Sequence, residues 1–273
     1  MSKKESIMLQ SRYSAGRLHD IVKGLPPQRK DLIWGNLLNI SKFSALEGLL
    51  EWIVDRINPK LGEFRNPRNN TSILFTRQMV EKVLGLPHGT RHVVIIRKHE
   101  ESPHREFYKT EYEHGRRAPI HYAATMLDKG NDLDDDTFFR TFFLVALATH
   151  TRTGNMVPLE YLGSLEVADE VCEYAWGEQI LKDVMSEVNT FQKKKKKALL
   201  DGVFKKIWVG SCLPLLAIIY IDHLDFPESS LSTHRINYSL PRISHVTDDD
   251  FDFVMLHDKS RLSLIPHIYG ARP

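Results

Sequence analysis

The sequence has little cysteine, no long apolar run and almost no net charge. Its 273 residues hold two cysteines. That is too few for a disulfide framework and fits a reducing compartment. The longest apolar stretch, Leu213–Ile221, contains Pro214. It is about half of the ~20 residues a membrane helix needs. The first residues, MSKKESIMLQSRYSAGRLHD, carry no apolar run of signal-peptide length. The chain therefore reads as soluble and intracellular, with no membrane partner. Lys+Arg number 37 and Asp+Glu 35, a balance of +2. This excludes a polyanion binder working by bulk charge, so any nucleic-acid contact must come from local clustering. The 42% hydrophobic and 26% charged fractions are those of an ordinary globular protein and exclude collagen-like and wholly disordered chains. The GxSxG, HExxH, P-loop and GxGxxG motifs are all absent.

What is present is mostly helical periodicity. Residues 1–31 are basic, with a break at Pro26-Pro27, and read as a flexible arm. Leu32, Ile33, Trp34, Leu37 and Leu38 have helical spacing. Ser44 and Glu47 have capping-box spacing before Leu46, Leu49, Leu50, Ile53 and Ile57, and Asn58-Pro59 ends that helix. Ser72–Phe75 reads as a short strand. Thr76 is a good cap for a helix over 77–84, with Gly85 and Pro87 as its stop. Further helices are expected over 138–149, capped by Asp135 or Asp136, over 168–197, and over 203–224. Segment 88–137 reads as a variable insertion with a strand near 92–97. Residues 227–273 read as an irregular tail. The expectation is a mainly α, compact helical domain over 32–226 with a few short strands.

Several clusters invite chemistry. Lys193, Lys194, Lys195, Lys196 and Lys197, with Lys205 and Lys206 nearby, form a basic run suited to nuclear import or phosphate contact, or else the solvated end of a helix. No aromatic residue interleaves with it, so it is no base-stacking platform. Six of the 13 histidines (88, 92, 99, 104, 114 and 121) fall between 88 and 121. His88 and His92 have HxxxH spacing, but Pro87 and Gly89 oppose a helix there and no CxxC or second pair accompanies them, so no metal is expected. The aspartates of 131–136 lack the glycine and terminal glutamate of a calcium loop and read, like Asp248–Asp250, as caps and surface charge. Cys212 and His223 supply the residue types of a cysteine hydrolase, but Cys212 lies among apolar neighbours that make a thiol inert. Trp34, Trp52, Trp176 and Trp208 all fall on predicted helices, and most of them read as core.

Residues 37–89 resemble the plant mobile domain family. Thr76, Val80, Val83, Leu84, Gly85, Leu86 and Pro87 stand in the places of its "T-x-x-D-V-x-x-L-L-G-L-P-x-x-G" segment, with Gly89 one residue early. Tyr174, Ala175, Trp176 and Gly177 resemble its "ysWG" signature. Gly210, Ser211, Cys212, Leu213 and Pro214 resemble its Gly-Cys helix, with a serine between the two. Met79 stands where that family has aspartate. The ordered set spans about 32–226 and looks like a diverged copy of the grass transposon-associated branch. The resemblance implies a nuclear, non-enzymatic interaction domain of transposable-element origin, linked to development, genome integrity or transposon silencing. It implies a protein partner such as a phosphatase or chromatin factor, and no cofactor. No catalytic residues are established for that domain. The alternatives are a nucleic-acid binder using Lys193–Lys197 and a remnant hydrolase using Cys212 and His223.

Overall fold

Pro27 at the first position of a helix and Gly85 just past the end of another are local signals that the folded chain obeys. A computed structural model describes residues 8–11, 15–31, 33, 40–44, 47–96, 103–115, 117–128, 133–150, 155–203, 206–258 and 269–270. In chain order the elements are β1 (Met8–Ser11), α1 (Ala15–Gly24), α2 (Pro27–Asp31), α3 (Glu47–Val54), β2 (Ile57–Asn58), β3 (Glu63–Arg65), β4 (Ser72–Leu74), α4 (Arg77–Leu84), α5 (Pro103–Tyr112), α6 (Ile120–Asp128) and α7 (Asp135–His150). Two 3₁₀ segments, Leu159–Ser164 and Ala168–Glu173, precede α8 (Trp176–Leu200) and β5 (Lys206–Val209). The chain continues through α9 (Pro214–Ile221), α10 (Glu228–Leu231), a 3₁₀ turn at Arg242–Ser244 and α11 (Asp248–Asp258). The fold is mainly α with a few short strands.

Two helices are buried on nearly every side. All eight residues of α9 are buried, and α7 buries Phe138, Phe142, Leu144 and Val145 completely. An apolar surface all round can be satisfied only inside the molecule. In the antiparallel β2–β3–β4 sheet, Ile57, Phe64 and Ile73 stand in register and face the core. The second sheet pairs β1 with β5 in parallel, placing Leu9 beside Ile207, both buried.

The structure departs from the expected organisation in several places. The basic segment 1–31 is no arm over its described part, which forms β1, α1 and α2. Leu18, Ile21 and Val22 make a buried stripe on α1, continued by the buried Leu25 just past its end, and α1 packs on α6 and α7. Arg29 is buried, pairs with Asp135 at 2.6 Å, and lies over the Phe138 ring at 4.8 Å. Over its described part the tail is not irregular throughout either, since it holds α10, a 3₁₀ turn and α11. Its helix α11 has a capping box in which Thr247 N–H donates to Asp250 Oδ2 at 2.9 Å and Asp250 N–H donates to Thr247 Oγ1 at 3.4 Å. Segment 88–137 contains α5 and α6. Described residues 92–96 form no strand, and Arg91 makes a single bridge to Tyr174. Asp134, not Asp135 or Asp136, caps α7, accepting from Thr137 N–H at 2.9 Å. No capping-box hydrogen bond joins Ser44 and Glu47 among the described residues: Ser44 N–H donates to Asp248 Oδ1, and Glu47 accepts from Gln10 Nε2. The expected helix over 168–197 begins as a 3₁₀ segment and becomes α only at Trp176. The expected helix over 203–224 is interrupted, as β5 comes first and α9 starts only at Pro214. Trp208 therefore lies on a strand, half-exposed. The predicted helix around Leu32–Leu38, with Trp34, lies outside the described residues apart from the buried Ile33.

Candidate functional site

Two of the segments that carry the family resemblance, 76–89 and 174–177, come together in one junction between α4 and α8. Thr76 is extended and its Oγ1 accepts from Met79 N–H at 3.3 Å. Gly85 ends α4 at φ 70°, a left-handed conformation that costs a residue with a Cβ, and returns its N–H to Glu81 O. Val80, Val83 and Leu84 point inward, and Leu86 packs at the edge of the core. Past Pro87 the chain runs beside the start of α8. Arg91 N–H donates to Glu173 O at 2.9 Å, and Ala175 N–H donates to Arg91 O at 2.7 Å. The approach is close. A Cβ at Gly89 would lie 2.2 Å from Tyr174 O, and one at Gly177 would lie 2.7 Å from Glu81 Cγ. Glu81 is buried there, accepting from Arg77 Nε at 2.5 Å and paired with His88 Nδ1 at 2.8 Å. Trp176 is fully buried, with its Nε1–H donating to Val171 O at 2.8 Å. The Phe143 ring lies 5.0 Å from it and Tyr174 6.2 Å. These motif residues are occupied in capping and packing.

The Gly210–Cys212 segment also serves structure. Ser211 is buried and takes φ 66°. Gly210 N–H donates to the buried Glu187 of α8 at 3.1 Å. Cys212 is 1% exposed. Burial pushes its thiol up to about 12, against a hydrogen bond with the Leu215 backbone. His223 is exposed, and its Nδ1 is engaged by Ile219 O at 2.7 Å. A nucleophilic thiol needs a depressed pKa, and burial moves that of Cys212 the other way.

The lysine run divides into two populations. Lys195 faces inward and pairs with Glu51 at 2.7 Å and Asp55 at 2.5 Å, near the Phe191 ring. Burial works against its charge, and the hydrogen bonds to Asp55 and Glu51 outweigh it, so its pKa stands above the ordinary value. Burial pushes the Asp55 carboxyl up even with Lys195 beside it. One turn earlier, Gln192 Nε2–H donates to Val54 O and Ile57 O. Together these contacts fasten the end of α8 to α3. Lys193, Lys194, Lys196 and Lys197 are exposed, and none has an ion pair among the described residues. Lys206 is exposed on β5, and Lys205 lies outside the described residues.

Sequence reasoning missed the apolar half of this surface. Leu199 and Leu200 are 59% and 78% exposed. They stand one turn beyond Lys195, Lys196 and Lys197 on the same helix. With Asp55, Gln192, Lys195 and Lys196 they line an open cleft of about 390 Å³. The available signal was helical phase: once Lys195 is known to face inward, the lysines on either side of it and Leu200 must face out. That Lys195 faces inward depends on Glu51 and Asp55, far away in sequence.

Of the six histidines of 88–121, His99 lies outside the described residues. Among the described residues no group of three or more His, Cys, Asp or Glu side chains could hold one. His88 belongs to Glu81, and His114 stacks on Tyr122 at 5.3 Å. No described helix is long and apolar enough to cross a membrane.

These features define a mainly helical domain centred on the buried Trp176 junction. Residues 11–204 match a family described as a domain of unknown function, DUF8566, and the chain belongs to that family. No curated protein and no solved structure matches the chain.

Proposed function

We propose that this chain is a non-catalytic interaction domain that binds another protein through the exposed end of α8. One observation carries the reading: Leu199 and Leu200 lie open beside four exposed lysines that have no ion pair among the described residues, on a helix end firmly fastened by Lys195 and Gln192. Exposed leucines contribute nothing to a phosphate contact, whereas each fully buried against a partner is worth about 1.5–3 kcal/mol. The surface suits an acidic partner with an apolar contact. The plant mobile domain resemblance supports the same reading and extends it to a nuclear protein of transposable-element origin, acting in development, genome integrity or silencing, with a phosphatase or chromatin factor as partner. The inert thiol of Cys212 supports the non-catalytic part.

Nucleic-acid binding through Lys193–Lys197 is the second reading, favoured by the exposure of four of the five lysines. The two readings separate by salt. Four phosphate contacts give a slope of about −3.6 in log K against log salt on duplex DNA. The protein-binding reading predicts capture of a protein that survives nuclease treatment of the extract. Recovery of nucleic acid alone, with that slope, overturns it.

A further inference from the structure

Tyr269 and Gly270 lie inside the molecule, against α3, β3 and α9. Three rings form the floor. Trp52 of α3 lies 5.4 Å from Phe64 and 5.6 Å from Tyr220, and Phe64 lies 5.5 Å from Tyr220. Tyr269 is 1% exposed and sets its ring edge-on to Trp52 at 5.9 Å. Gly270 is held by both of its main-chain groups. Its N–H donates to Asp258 Oδ2 at 3.0 Å, and its carbonyl accepts from Asn66 Nδ2 at 3.2 Å. Asp258 Oδ2 also accepts from the Tyr220 hydroxyl at 2.7 Å, and both Asp258 and Asn66 are buried. Only glycine fits. The backbone is left-handed at φ 84°, and a Cβ would lie 2.6 Å from Asn66 Oδ1 and 2.9 Å from Trp52 Cζ2.

About two-thirds of protein hydrogen bonds join backbone to backbone. Gly270 is instead gripped at both ends by buried side chains, with an aromatic slot beside it for its neighbour. In peptide recognition, hydrogen bonds to the main chain give affinity and pockets for neighbouring side chains give specificity. We propose that Trp52, Asn66, Tyr220 and Asp258 form a binding site for a Tyr-Gly peptide, which the chain's own Tyr269-Gly270 fills as a displaceable latch. A partner presenting Tyr-Gly competes with the latch for the same slot. This site is separate from the lysine end of α8, and neither proposal depends on the other.

The test uses the full chain carrying Gly270→Ala, which expels the latch and opens the slot. The probe is a fluorescently labelled peptide with the sequence of residues 266–272. By anisotropy it should bind the variant at least about tenfold more tightly than the wild-type chain, which already fills its own slot. Alanine at the peptide's glycine or tyrosine should remove that gain. Equal binding to the two chains, or indifference to the peptide's glycine, overturns the proposal. Should Gly270→Ala fail to fold, the wild-type chain decides. Excess peptide must speed hydrogen exchange at the Tyr269 and Gly270 amides while leaving α9 unchanged. No change at those two amides overturns the proposal equally.

Discussion

A thiol that ionises only near pH 12 is a buried apolar group at neutral pH, and Cys212 should behave as one. Alkylation at pH 8 should modify the half-buried Cys172 in the native protein and reach Cys212 only on unfolding; native labelling of Cys212 would revive the hydrolase reading. The same shift has a stability consequence. The unfolded thiol loses its proton near its ordinary 9.0, and the native one only near 12. The contribution is therefore complete below pH 9 and is lost as pH rises through that window, at about 1.4 kcal/mol per pH unit. Denaturant titrations of wild type and Cys212→Ala at stepped pH should show the steeper alkaline fall in wild type alone. The glycines of the junction make a second residue-scale prediction. Gly89→Ala meets backbone at Tyr174 and Glu173, whereas Gly177→Ala meets the Glu81 side chain. Both should destabilise by about 1–3 kcal/mol as overpacked sites. Gly89→Ala should cost more, and Glu81→Ala should relieve Gly177→Ala but not Gly89→Ala.

Helix α4 was fully legible because its signals are local: Thr76 caps, Gly85 turns and Pro87 stops. Thr76→Ala should cost about 1 kcal/mol in thermal or chemical denaturation. The break between β5 and α9 was not legible. The apolar pattern runs almost unbroken through it, and the interruption comes from the left-handed Ser211 and from Glu187 holding Gly210 N–H, a contact 23 residues away. The amino-terminal strand failed for the same reason, since the burial of Leu9 depends on Ile207. Asp134 and Thr247 carry cap signals in the sequence, but the run of aspartates around each hides which one caps. At the candidate site the lysines were visible in the sequence, and the one that is spent was not. Lys195→Met should destabilise by about 1–2 kcal/mol by leaving Glu51 and Asp55 without their partner, whereas Glu substitutions at Lys193, Lys194, Lys196 and Lys197 should barely move stability.

Across the whole molecule, the net charge of +2 conceals an unequal use of the charges. The acidic groups that the sequence clusters are largely engaged. Asp134 caps α7, Asp135 holds Arg29, Asp248 accepts from Ser44, and Asp250 both caps α11 and pairs with His234 at 2.6 Å. The cations at the end of α8 remain open, next to two open leucines. A nearly neutral chain thereby presents a locally basic, partly apolar surface, and the proposed function rests on that asymmetry. The most direct measurement is affinity capture from nuclease-treated native extract with wild type and with Leu199→Ser/Leu200→Ser, both matched for stability by denaturation. The account predicts that wild type retains a protein partner and the double variant loses it. Equal capture by the two, or no protein once nucleic acid is removed, would contradict it.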